Sequence, residues 1–155
     1  MKKQELRDDP EGAYSYAIWL LARREYAFEE LVRKIGSRYV KEAALAAAQK
    51  ARAEGSQSDQ RMAEMLARHA AFAHQGPQKA RLEARRRGLD PDLLTPYLEE
   101  QDFGAQALDF LERRYGSLES VDYKTGQKML AALCRRGFDR DTCLEAFERF
   151  SSSRS

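Results

Sequence analysis

Apolar residues recur at helical spacing along most of the chain. Tyr14, Ala17, Ile18 and Leu21 follow the i, i+3, i+4, i+7 pattern and predict a helix beginning at Ala13. Phe28, Leu31, Val32 and Ile35 predict a second helix over 27–36, broken at Gly36-Ser37. An Ala-rich third covers 40–54 and stops at Gly55-Ser56. The order then repeats. Asp59 opens a helix through Met62, Met65, Leu66 and Ala70. Gly76-Pro77 starts another, since Pro suits the first helical turn, and this one ends at Gly88. Asp90-Pro91 begins the next, as N-cap and first helical residue, with Leu93, Leu94, Tyr97 and Leu98 on its apolar face. In a third round, Ala107, Leu108, Phe110 and Leu111 belong to a helix closing at Gly116, and 117–122 form a loop. Helices over 124–136 (Met129, Leu130, Leu133) and 139–150 (Cys143, Leu144, Phe147) complete it.

No β-branched run reads as a strand, so the expected fold is all-α: three tandem three-helix repeats in an elongated, curved array. The expected divisions are a flexible lead-in 1–12, repeats at 13–56, 57–101 and 102–150, and a polar tail 151–155. Self-similarity supports the repeats. AIWLLARREY at 17–26 aligns with ALDFLERRYG at 107–116. RRGLD at 86–90 recurs as RRGFD at 135–139. In each copy the glycine predicts a left-handed helix stop, the apolar residue a contact back onto the helix, and the aspartate a cap for the next helix. In the first repeat Arg38 replaces the glycine, so that joint must close differently. Small units of this kind bury too little apolar surface alone and must stack on neighbours.

Composition adds surface chemistry. The chain is 43% hydrophobic and 34% charged with a net charge of only +2. Its charge is uneven: 78–88 and 124–136 each carry +4, whereas 90–102 carries −5 and 139–150 carries −2. Either the basic helices form one band, or opposite charges balance across a solvated surface. A band would suit phosphates, with binding that falls with salt, or an acidic protein surface. No aromatic lies within 78–88, so base stacking is not indicated, and Trp19, beside the first apolar stripe, reads as a core or edge residue. His69 and His74 are five apart with no ligand or catalytic partner at a recognised spacing, and no nucleotide-binding loop or nucleophile elbow is present. Cys134 and Cys143 lack metal-ligand spacing and read as buried thiols. With no signal peptide or membrane-length stretch, the expectation is a cytoplasmic, non-enzymatic protein without metal or cofactor.

Several stretches carry a family resemblance. ARREYAFEELVRKI at 22–35, SDQRMAEMLARHAAFAHQGPQKARLEARRRGLD at 58–90 and LCRRGFD at 133–139 occur in the order found in RecX, the bacterial regulator of the RecA recombinase. The chain resembles that family from about residue 13 to 150. It departs from it at Met62, where an aromatic is usual, at Ala80 and Ala84, where large aliphatic side chains are usual, and at Ala27, where a hydroxyl N-cap is typical. The alanines require the middle helix to pack more closely or more loosely. The resemblance implies a modulator that binds RecA filaments and limits their extension, strand exchange, ATP hydrolysis and co-protease activity, in recombination and repair. The expected partners are the RecA filament and single- or double-stranded DNA, with no membrane, and the protein acting as a monomer. The expected contact residues are Lys79, Arg81, Arg85, Arg86, Lys124, Lys128, Arg135 and Arg136. A DNA-binding protein acting without RecA and a plain helical scaffold are the rival readings.

Overall fold

The structure, a computed structural model, describes residues 5–154; the first four lead-in residues and the last residue of the tail lie outside them. Among the described residues the chain is all-α, with no strand. The helices are α1 (Pro10–Arg23), α2 (Phe28–Ile35), α3 (Lys41–Ala53), α4 (Asp59–Phe72), α5 (Pro77–Arg86), α6 (Thr95–Glu99), α7 (Phe103–Tyr115), α8 (Tyr123–Arg135) and α9 (Arg140–Ser152). None of them is long and apolar enough to cross a membrane. The chain divides into two compact units: residues up to Ala63 with Arg85–Leu93, and Glu64–Ala84 with Leu94 onward.

In the first unit, α1, α2 and α3 enclose a core of small side chains. Ala13, Ala17 and Leu20 of α1 face Ala44, Ala47, Ala48 and Ala51 of α3, with Leu31 and Ile35 of α2 closing the side. The buried face of α1 is therefore turned from the expected stripe: Tyr14, Ile18 and Leu21 are only partly buried. Alanine on both helices lets the backbones approach, and the larger residues then flank the seam. α1 also starts earlier than Ala13. Asp9 caps it, its carboxylate accepting from Gly12 N at 3.0 Å, and Pro10 occupies the first turn.

The joint after α2 closes without a left-handed residue. Arg38 and Tyr39 both donate to the Ile35 carbonyl, and Arg7 pairs with this segment as an isolated bridge. Arg7 N donates to Arg38 O and Val40 N donates to Arg7 O, both at 2.9 Å. Part of the expected lead-in thus supplies the hydrogen bonds that a glycine turn would otherwise make internally.

Asp59 opens α4 as expected, and Ser58 before it supplies the cap, its hydroxyl accepting from Arg61 N. Asp59 is left to accept from Phe28 N at 2.8 Å, capping α2, whose N-cap residue Ala27 has no acceptor of its own. After Asp90 the chain forms a 3-10 turn, Pro91–Leu94, before α6. Pro96 has no N–H to donate to the Asp92 carbonyl, so a continuous α-helix from 91 to 99 would lose that bond and meet a steric clash.

The second unit packs Ala107, Phe110 and Leu111 of α7 against Met129, Ala132 and Leu133 of α8 and Cys143, Ala146 and Phe150 of α9. Met65, Leu93 and Leu144, expected on apolar faces, are instead exposed. The cysteines also divide: Cys143 is buried as expected, but Cys134 is exposed. Burial, then the neighbouring Cys134, pushes the Cys143 thiol up to about 12. Beyond α9, Arg154 donates to the carbonyls of Gly116 and Leu118 and to Glu112, and its guanidinium lies 3.7 Å from the Phe150 ring centroid.

Candidate functional site

The two arginine–glycine joints form as their residues dictate. Gly88 and Gly137 have φ of +74° and +90°. Gly137 N donates to Cys134 O and Phe138 N to Leu133 O, the paired bonds of a Schellman helix stop. Leu89 and Phe138 are buried. The aspartates behave less uniformly. Asp139 stands at the N-cap of α9 but makes no side-chain cap, its carboxylate accepting instead from Gln78 Nε2 at 3.0 Å.

Each joint rests on the first turn of another middle helix. In the first unit, Gly88 faces Glu29, near the start of α2. In the second, Gly76 N donates to Arg136 O at 2.7 Å and Gln78 N to Gly137 O at 3.0 Å. A Cβ on Gly76 would lie 2.2 Å from Gly137 O, so both glycines are required for the approach. Ala80 and Ala84 of α5 are buried, and the alanines accompany close packing rather than a loose helix.

The second arginine of each pair is a clip. Arg87 donates to Glu25 O and reaches Glu30, and Arg136 donates to Ala73 O at 3.2 Å while lying 4.6 Å from the Phe110 ring centroid. The first arginine of the later pair, Arg135, is exposed.

In the second unit these contacts assemble an open groove of about 360 Å³, lined by Gln75, Lys79, Phe110, Arg114, Ala132, Arg135 and Arg136. Lys79 comes from the first turn of α5, Arg114 from the last turn of α7, and Arg135 and Arg136 from the end of α8. The lining holds four cations and no carboxylate. Two helix C-termini meet here, and basic side chains offset their partial negative charge. The charge of such a groove is complementary to anionic groups, whether phosphate or carboxylate.

Of the residues expected at an interface, Lys79, Arg135 and Arg136 converge in this groove. Lys124 and Lys128 are exposed on α8, four apart, and share a helical stripe with Arg135, but they do not line it. Arg81 is half-buried on α5, also outside the lining. Arg85 and Arg86 belong to the other compact unit. Sequence reasoning missed Arg114. Its signal was the Arg113-Arg114 pair in a last helical turn, the same arrangement as the other pairs; Arg113 is held by Asp109 at 2.9 Å.

Beside the groove, His74 ends α4 with φ of +56°, a left-handed position usually given to glycine. Gln75 N donates to Ala70 O and His74 N to Ala71 O, and His74 Nε2 lies 2.6 Å from Asp109 Oδ2. The hydrogen bond from His74, then the Arg113 charge, holds the Asp109 carboxyl below its ordinary range. The pair ties α4 to α7. Among the described residues no group of three potential ligands is gathered for a metal ion.

Comparison with known proteins gives one consistent answer. Residues 100–147 match the family model of the third three-helix domain of RecX. The chain is 39% identical over 126 residues to Regulatory protein RecX of Xanthomonas campestris pv. campestris strain B100, covering 79% of this chain and 78% of that one. It is 38% identical over 133 residues to Regulatory protein RecX of Stenotrophomonas maltophilia strain R551-3, covering 84% and 82%. The fold is similar to the crystal structure of RecX from Lactobacillus salivarius, with a TM-score of 0.78 at 17% identity over 91% of this chain and 96% of that one. With nearly four-fifths of its length aligned at this identity, the chain belongs to the RecX family of regulatory proteins.

Proposed function

We propose that this protein restrains RecA nucleoprotein filaments, limiting their extension and ATP hydrolysis, with the basic groove of the second unit as a contact surface. The observation that carries this reading is the convergence of Lys79, Arg114, Arg135 and Arg136 in one groove without a carboxylate. Family membership supports a regulator rather than an enzyme. In this reading the protein works in the cytoplasm as a monomer, and its helices act as three three-helix repeats. The doubled joint, in which a glycine stop rests on the first turn of another middle helix, supports that division. Repeated modules multiply weak contacts along a repetitive partner.

The test is RecA ATPase activity on single-stranded DNA. Wild-type protein is expected to inhibit it, and the K79E/R135E variant to lose about ten-fold or more in potency, as for loss of two charge-assisted contacts. No inhibition at several-fold excess over RecA would refute the reading. A helical DNA-binding protein acting alone is the second reading, since the same cations suit phosphate. Tight, salt-sensitive binding to duplex with no effect on RecA would favour it.

A further inference from the structure

The first unit carries a second surface that the groove reading does not use. Trp19 is 55% exposed on α1, although it is the chain's only tryptophan. Its ring stacks beside Tyr16 at 6.0 Å between centroids and an interplanar angle of 19°. Tyr16 in turn lies 6.2 Å from Tyr39. Guanidinium groups lie over two of these rings: Arg23 sits 4.7 Å from the Trp19 ring centroid and Arg38 4.5 Å from that of Tyr16. Arg38 and Tyr39 continue into a pocket of about 370 Å³ shared with Arg7 and Glu5. None of Arg7, Arg23 and Arg38 has a carboxylate salt-bridge partner among the described residues.

We propose that this strip, Arg7–Arg38–Tyr16–Trp19–Arg23, is a binding site for single-stranded nucleic acid that works without RecA. Paired aromatic rings are flanked on both sides by positive charges, a combination that suits a chain of flat bases joined by phosphates. Exposing Trp19 sacrifices burial of the largest apolar side chain, and nothing in the unit's core requires it there. An acidic peptide fits less well: an aromatic face carries partial negative charge, which attracts guanidinium and repels carboxylate. Bases stack on such faces whatever their sequence, and on arginine planes too. Duplex keeps its base faces internal and would reach only the arginines. The i, i+3, i+7 spacing of Tyr16, Trp19 and Arg23 sets all three on one side of α1, with Tyr16 packed at the edge of the Ala13–Ala17–Leu20 core and Trp19 standing outside it.

Because Trp19 is the sole tryptophan, intrinsic fluorescence reports on the site directly. The protein is titrated at low salt, without RecA, with a thymidine homopolymer of about 16 nucleotides, a length within single-strand site sizes. Saturable quenching is expected, weaker with duplex of equal length and absent with polyglutamate. Trp19→Ala, followed by anisotropy of a labelled strand, should weaken binding about five-fold or more. Arg38→Glu should weaken it and lower the salt slope by about one phosphate contact. The groove variant K79E/R135E should keep the quenching, whatever its effect on RecA. Unaltered fluorescence at saturating strand overturns the proposal. So does Trp19→Ala binding equal to wild type with unchanged circular dichroism, or equal quenching by polyglutamate, or loss of quenching in K79E/R135E.

Discussion

Gly88 and Gly137 occupy equivalent places in two copies of one motif, yet their surroundings differ. Both sit at positive φ, where an L side chain costs about 1–2 kcal/mol. A Cβ on Gly88 would meet nothing nearer than Glu29 Oε2 at 3.4 Å, whereas one on Gly137 would lie 2.6 Å from Lys79 N, a backbone atom. Gly88→Ala should therefore lose about 1–2 kcal/mol in urea unfolding, and Gly137→Ala distinctly more, because α5 must also shift. Equal losses would show that the α5–α8 approach is not tight. The helix-stop role of both glycines was legible from neighbouring residues; the close approach was not, because Gly76 lies 61 residues away from Gly137. The same limit applies to His74 and Asp109. Asp109 has a lowered native pKa, so its pairing contributes stability above the ordinary value of 3.8, lost as pH falls through the native value. Asp109→Asn should remove part of the stability loss seen by circular dichroism on acidification below about pH 4, the range in which an unperturbed aspartate protonates. An unchanged acid transition would count against the pair.

Helices here begin where an acceptor is available, and the acceptor need not be local. Asp9-Pro10 is the same cap-and-proline signal as Asp90-Pro91, although the polar residues around it look like a lead-in. Conversely, Asp90-Pro91 yields a 3-10 turn because Pro96, five residues on, interrupts the α-helical bonds. At α2 the cap comes from Asp59, which also accepts from Gln57 Nε2 at 2.8 Å. Asp59→Ala should cost about 1–2 kcal/mol in urea unfolding, the usual price of an N-cap, although Asp59 is not the N-cap residue of the helix it serves. Restoring a local acceptor with Ala27→Ser in that background should recover part of the loss. If Asp59→Ala is neutral, water satisfies the Phe28 N–H and the remote cap contributes nothing.

At the level of the molecule, neighbouring arginines divide between a structural contact and an open surface. Arg136 clips the Ala73 carbonyl and packs on Phe110, while Arg135 next to it points into an open groove. Removing Arg136 should therefore lower both stability and filament inhibition, whereas K79E/R135E should spare the midpoint of thermal unfolding and reduce only inhibition. A large fall in that midpoint for K79E/R135E would mean that the exposed cations hold the fold. The charge count of the chain could not make this distinction, since both arginines contribute equally to it.

Helix content, the positions of most breaks, and the glycine–apolar joints follow from residues within about one helical turn of each other. Backbone sterics at glycine, the missing N–H of proline and the unpaired groups at helix ends act at that range. Recurrence of those signals, with the motifs in order, was enough to point to the family. Other features depend on residues tens of positions apart. Which side of α1 is buried was settled by the alanines of α3; which arginine of each pair is spent on a carbonyl, by the Ala73 and Glu25 loops. Arg114 joins Lys79 and Arg135 only because Gly76 and Gly137 let α5 meet α8. Trp19 stands in solvent because smaller residues already fill the seam it flanks. Local patterns specify what each helix can bury, and close packing between helices selects which of those surfaces it buries.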